Sequence, residues 1–250
     1  ISRVLHDVID LFNGQRPGYH PCDTKYHNLV HTLQTVPPFV EIIGGWNKSG
    51  SKPRIPFHTF ELGIIGVLLH DTGYIRQEGD DSGTGAKYTL THVQRSIEFA
   101  DKYLDELAFS LPDKKCILTI IHCTGVTLDI DIPFDSDEER IIGYALGTAD
   151  LLGQMSAFDY LDMLPILYNE FAESYIFSSS DNMPGKSPPP FASADDLIRS
   201  TPSFYENVAL GRFKIMGSME HYISYCYDGH HNPYMTAIEA NIEAIRKRWK

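Results

Sequence analysis

Histidines and carboxylates at five separate points of the chain are the residues that could do chemistry, and coordination of a cation is what they could do. The first point is Tyr26-His27-Asn28-Leu29-Val30-His31. His27 and His31 stand four apart, so a helix there would turn both imidazoles out of one face. Asp23 or Thr24 could cap that helix, and Leu29, Val30, Leu33 and Val36 would supply apolar neighbours. The second point is Leu68-Leu69-His70-Asp71-Thr72-Gly73. An apolar run over 62 to 69 reads as a buried helix that delivers an imidazole and a carboxylate at its C-terminal end, where the chain turns. A carboxylate there is costly unless something positive meets it. The helix terminus cannot help, because its macrodipole is negative at that end. A metal cation can.

Three further residues fit the same need. Asp150 is a lone carboxylate inside the apolar stretch Ala145-Leu146-Gly147-Thr148-Ala149-Asp150-Leu151-Leu152, His92 follows Thr91 near a helix start, and His122 follows the apolar residues 117 to 121. Each has an ordinary explanation alone: a paired core acid, a first-turn surface residue, a satisfied core histidine. Packing does not readily explain the whole order, His…His-Asp…His…His…Asp.

In that order the chain resembles the HD superfamily of metal-dependent phosphohydrolases, over roughly residues 20 to 155. The resemblance implies that His31, His70, Asp71 and Asp150 hold one metal, with Asp71 bridging if a second is bound. It also puts His92 and His122 where two-metal members place their extra histidines. The Tyr-His-Asn-x-x-His form at 26 to 31 is similar to the corresponding motif of cyclic-nucleotide phosphodiesterases. That likeness makes His27 a proton donor to the leaving group, with a metal-ligand role as its rival. The chain departs from the phosphodiesterases at Gln34 and Thr35, where they carry an Asp. It departs from the HD-GYP hydrolases at Tyr74, where they carry Lys, and at Cys123-Thr124-Gly125, which lacks their signature.

These residues need helices to position them, and helical periodicity dominates. Val4, Leu5, Val8, Ile9 and Phe12 repeat at helical spacing before Asn13-Gly14. Further helices are expected from the low twenties to about 43 (broken or kinked at Pro37-Pro38), over 58 to 70, 91 to 107 and 113 to 122, and from a Ser136-Asp137-Glu138-Glu139 cap to about 155. Helical pattern continues over 157 to 175, interrupted by Pro165, then over 203 to 226 and 233 to 249. Residues 127 to 137 read as a loop or a short strand, and no run is strong enough to organise a sheet. The expected class is all-α: an HD-domain helical bundle, 1 to 250, with its metal-binding core over 20 to 155. Extra C-terminal helices and a Pro/Ser-rich insertion at 178 to 190 make up the rest. The Gly-, Asp- and Ser-rich segment 73 to 88 reads as a surface loop or a flap, in which Arg76 or Lys87 would meet substrate phosphate. Gln154, one turn after Asp150, is a further substrate contact or a structural hydrogen bond.

At 250 residues the chain can bury a substantial core. Its 33 acidic against 21 basic residues, a formal charge of −12, argue against a nucleic-acid or anionic-membrane partner. A phosphate substrate stays open, since a metal site dominates its own local field. Four scattered cysteines without a CxxC are expected to be free thiols in a reducing cytoplasm, and no apolar run is long enough to span a bilayer. The function expected is hydrolysis of a small nucleotide-like phosphomonoester or phosphodiester by water activated on one or two divalent ions of Fe, Mn, Zn or Ni. Two alternatives share the ligand order or the cage. One is an HD-fold di-iron oxygenase resembling myo-inositol oxygenase, the other a non-catalytic nucleotide-binding sensor.

Overall fold

The computed structural model describes residues 1–125, 132–179, 189–229 and 231–249. Among them every regular element is helical, and the one extended pairing is an isolated bridge between Tyr19 and Gln77. The chain is all-α. α1 (Ser2–Phe12), α2 (Leu29–Gln34) and α3 (Val36–Lys48) lead into α4 (Phe57–Leu69), which is buried without a break over 62 to 69. A helix apolar all round has to be enclosed. α1, α3, α6 (Leu111–Ile121) and α7 (Asp137–Met155) enclose it, so that the end of α4 opens inside the molecule. Pro37 and Pro38 fall in the first turn of α3, where a missing N–H costs no hydrogen bond, and the chain breaks just before them at Thr35.

Two close approaches bring the chemistry together. Gly153 of α7 lies against α2, where a Cβ would come within 2.8 Å of the Gln34 carbonyl oxygen. Gly73, in the tight turn Thr72–Tyr74, packs on the start of α5 (His92–Glu106), where a Cβ would meet the His92 carbonyl oxygen at 2.0 Å. Its N–H donates to Ser96 Oγ at 2.8 Å and its carbonyl accepts from Arg95 Nε at 2.8 Å. Any side chain at either glycine would push apart the segments that carry the site.

The later helices depart from expectation in places. Ser136 does cap α7, accepting from Glu139 N at 3.1 Å. Pro165 lies inside α8 (Tyr160–Ser179) without ending it. Residues 203 to 226 are not one helix. α9 (Ala194–Phe204), capped by Ser193, runs through a π turn at Tyr205–Ala209 into α10 (Leu210–Ile215), and a 3-10 segment follows at Met219–Cys226. α11 (Pro233–Arg248) ends the described chain much as its pattern indicates. Most of the 178 to 190 insertion, and the first part of the 127 to 137 segment, lie outside the described residues. Among the described residues no helix is long and apolar enough to cross a membrane. The four cysteines are free thiols.

Candidate metal centre

His31 enters the site from a helix that begins later than its spacing implies. Asn28 is the cap: its side-chain oxygen accepts from Val30 N at 2.8 Å and His31 N at 3.2 Å. Neither Asp23 nor Thr24 caps α2, and His27 lies ahead of the helix, so the shared helical face for the two histidines does not exist. Their rings still meet edge to face, 5.4 Å between centroids. Thr24 holds the turn by donating from its hydroxyl to the His27 carbonyl. Two of the apolar neighbours expected on a buried face are instead open to solvent, Val30 at 64% and Leu33 at 37%.

Four side chains from three helices then converge. His31 Nε2 lies 3.3 Å from Asp71 Oδ2 and 3.2 Å from Asp150 Oδ1, and His70 Nε2 lies 3.4 and 3.7 Å from the same two oxygens. His31, His70 and Asp71 present ligand atoms within 4.8 Å of one another, all buried. His70 Nδ1 donates to the Val67 carbonyl at 2.7 Å, which leaves Nε2 as the atom facing the carboxylates. His70 Nε2, Asp71 Oδ2 and Asp150 Oδ1 are all buried without a hydrogen-bond partner. Neighbouring donors around a tetrahedral or octahedral ion with bonds of about 2.0–2.2 Å lie roughly 2.8–3.6 Å apart. The 3.2–3.7 Å imidazole–carboxylate distances here are close to that, while Asp150 falls outside the group of ligand atoms that all lie within 4.8 Å of one another. Polar atoms this close, mutually oriented without hydrogen-bond geometry, are arranged as ligands are.

The electrostatics of the cluster agree. Burial opposes protonation of His70, but Asp71 and Asp150 outweigh it and push the imidazole up to about 9. Burial likewise opposes ionisation of both carboxylates and is overcome. Asp150 is held far below the usual range by His31 and His70, and Asp71 is lowered by His70, His31, His27 and His92 in that order. Two ionised carboxylates sunk in the core draw positive charge, and the field that draws a proton to His70 also draws a divalent cation.

Around this cluster lies a ring of aromatic and acidic groups. Tyr74 stacks on His27 (4.4 Å, 9°) and on His92 (4.7 Å, 22°). His92 Nδ1 donates to the Thr89 carbonyl at 2.7 Å, and its Nε2 lies 3.9 Å from Asp71 Oδ1. Burial lowers the His92 imidazole, with Asp71 opposing. Glu170 of α8 escaped the sequence reading. Its carboxylate accepts from Tyr26 N at 2.7 Å and pairs with His27 Nδ1 at 2.6 Å. Burial disfavours the charged His27 ring, but the Glu170 contact, reinforced by Asp71, raises it overall. The only signal for Glu170 was an acid in a largely apolar helix, the pattern that had marked Asp150.

The remaining expected residues are placed as follows. His122 is solvent-exposed on the turn after α6 and takes no part in the ion pairs described among His31, His70, Asp71 and Asp150, so the cluster gathers without it. Arg76 donates from Nε to Asp23 at 2.9 Å and also to the Asp80 carbonyl. Lys87 is paired with Asp80 and donates to the Ser82 carbonyl. Both cations are taken up by internal partners, Arg76 by Asp23 and the Asp80 carbonyl and Lys87 by Asp80 and the Ser82 carbonyl. Gln154 accepts from the Tyr26 hydroxyl at 3.1 Å and lines a cleft of about 50 Å³ beside His31, together with Gln34, Asp159 and Tyr160.

No family model, curated protein or solved structure matches this chain. The centre therefore has to be interpreted from its own donors. Two imidazoles and two carboxylates suit Mn, Fe, Zn or Ni better than the oxygen-seeking Ca.

Proposed function

We propose that the chain is a metal-dependent phosphohydrolase acting on a small phosphate ester. The observation that carries this reading is the buried His31–His70–Asp71 group of ligand atoms, with Asp150 Oδ1 3.2 Å from His31 Nε2, in which His70 Nε2, Asp71 Oδ2 and Asp150 Oδ1 lack a hydrogen-bond partner. A divalent ion held by these four residues would supply Lewis acidity for the phosphoryl oxygens and a water acidic enough to attack phosphorus near neutral pH. Asp71 turns its second oxygen toward His92, as a residue shared between two neighbouring ions would. His27 is oriented through Nδ1 by Glu170, and that contact favours its protonated form, which suits it to give a proton to the departing ester oxygen. Glu170 acts through His27 and is a positioning residue. Tyr74 fixes the plane of the His27 ring by stacking.

The test is metal analysis of the purified protein combined with a panel of phosphomonoesters and phosphodiesters in the presence of Mn. Release of phosphate or of a phosphomonoester without oxygen uptake supports the proposal. Oxygen consumption with a polyol would move the chain to the di-iron oxygenases. A nucleotide that binds tightly and returns unaltered would make the protein a sensor.

A further inference from the structure

The cleft beside His31 has a chemistry of its own. Tyr26, Tyr160 and Met163 give it apolar and aromatic walls, and Gln34 and Gln154 add carboxamides. Among the described residues no Lys or Arg lines it, and its one charged group is Asp159. Asp159 lines the cleft and its Oδ1 is buried without a hydrogen-bond partner, so its carboxylate brings negative charge there that no protein donor meets at that oxygen. At about 50 Å³ the space is far below the roughly 300–1,000 Å³ that holds a drug-sized ligand. Cations around the centre are turned elsewhere: Arg76 binds Asp23, Lys87 binds Asp80, Arg95 donates to the Gly73 and Ile75 carbonyls, and buried Arg212, whose charge reaches Asp150, donates to the Cys123 carbonyl. A nucleoside polyphosphate would bring several negative charges and a large base, and neither finds a counterpart here.

Resting on the phosphohydrolase reading, we propose that this cleft receives the alcohol part of the ester and selects a compact amino alcohol whose ammonium donates to Asp159. The step is then hydrolysis of a phosphomonoester. The water oxygen forms a bond to phosphorus and the ester P–O bond breaks. Its electron pair leaves on the alcohol oxygen, which takes a proton from His27; one proton of the attacking water stays on phosphate, the other restores His27, and the products are inorganic phosphate and the free amino alcohol. The aromatic side chains of Tyr26 and Tyr160 favour a cation between them over a neutral group of the same size.

The experiment measures kcat/KM of the Mn-loaded protein on O-phosphoethanolamine, on its isostere 2-hydroxyethyl phosphate, and on AMP and ATP, for the wild type and for Asp159→Asn. The amine-bearing ester should exceed its isostere by about tenfold or more, as a sheltered charged hydrogen bond provides. That ratio should fall toward unity in Asp159→Asn, and both nucleotides should be poorer substrates than the amine-bearing ester. Equal rates on the two small esters, a ratio unmoved by Asp159→Asn, or a preference for a nucleotide would overturn the inference and leave the hydrolase reading standing. Failure to cleave any ester would instead remove the hydrolase reading. Calorimetric titration of the two small esters then decides the cleft separately: tighter binding of the amine-bearing one, dependent on Asp159, upholds its selectivity, and equal affinity ends it.

Discussion

Two polar networks meet around the turn after α4, and they settle their charges in opposite ways. In the segment from 76 to 88 every charged group described above has found an internal partner. Arg76 binds Asp23, Lys87 and the Tyr88 hydroxyl share Asp80, Thr84 Oγ1 donates to Glu173 at 2.7 Å, and Arg95 lies 3.4 Å over the Tyr88 ring. A few residues away, the His31–His70–Asp71–Asp150 cluster leaves three buried atoms without a hydrogen bond. Satisfied charge explains itself as architecture. Buried polar atoms left without hydrogen bonds mark a place for something from outside the chain, and the donor types here are ones that could hold a divalent cation.

Breaking each network in turn should give contrasting signatures. The largest effect is expected from Asp71→Ala, which should strip bound metal, as measured by elemental analysis, and reduce turnover to background. The metal-free variant should also unfold below the temperature of the metal-free wild type, because the buried His70 imidazole, which Asp71 and Asp150 push up, loses one of the two carboxylates that face it. An unchanged temperature would mean that Asp71 contributes to the fold only through the ion it holds. Glu170→Gln comes next. It should keep its metal while losing about 10- to 100-fold in turnover, the usual consequence of removing the group that orients a working histidine. Metal loss on the scale of Asp71→Ala would move Glu170 into the coordination shell.

Asp80→Asn should instead keep its metal and lose roughly 1–3 kcal/mol of stability through stranding Lys87 and Tyr88. Burial works against the ionised Asp80 carboxyl, but Lys87 and Tyr88 bind it and lower it overall. Its contribution is therefore complete above the unfolded carboxyl value of about 3.9 and disappears as the pH falls through the lower folded value. In urea titrations the wild type and Asp80→Asn should differ most near neutrality and converge in acid; a gap that persists in acid would refute the assigned partners. The smallest effect belongs to His122→Ala. That variant should retain metal and turnover within error, and losses like those of Asp71→Ala would return His122 to the ligand set.

The same contrast explains what could be read from the residues alone. His70 and Asp71 were legible because α4 is so uniformly apolar that any charge at its end stands out, and Asp150 was legible for the same reason inside α7. His122 misled by following the same cue. Ile117, Ile120, Ile121 and Cys123 are buried while the His122 side chain between them is exposed, and a hydrophobic run specifies where a helix is buried, not which way its last residue faces. The spacing of His27 to His31 predicts a helix through both, yet Asn28 takes up the backbone N–H groups of Val30 and His31 and the helix starts at Leu29, two residues after His27. Glu170 stayed hidden among Asp162 and Glu173 on α8, where one acid touches the site and another fastens Thr84, a distinction only tertiary contact makes. Arg76 and Lys87 looked like phosphate ligands because cations in a Gly-rich segment have no visible partner until the chain folds Asp23 and Asp80 against them.

Titration of Mn²⁺ into the metal-free wild type and into Asp150→Asn, followed by calorimetry and by thermal unfolding, tests the central claim most directly. The account predicts saturable binding to the wild type, with an unfolding temperature that climbs with ion concentration, by about 2.7 kcal/mol of stability at one hundred times Kd. In Asp150→Asn both responses should be lost or greatly weakened. Absence of binding to the wild type, or equal binding to both proteins, would contradict it.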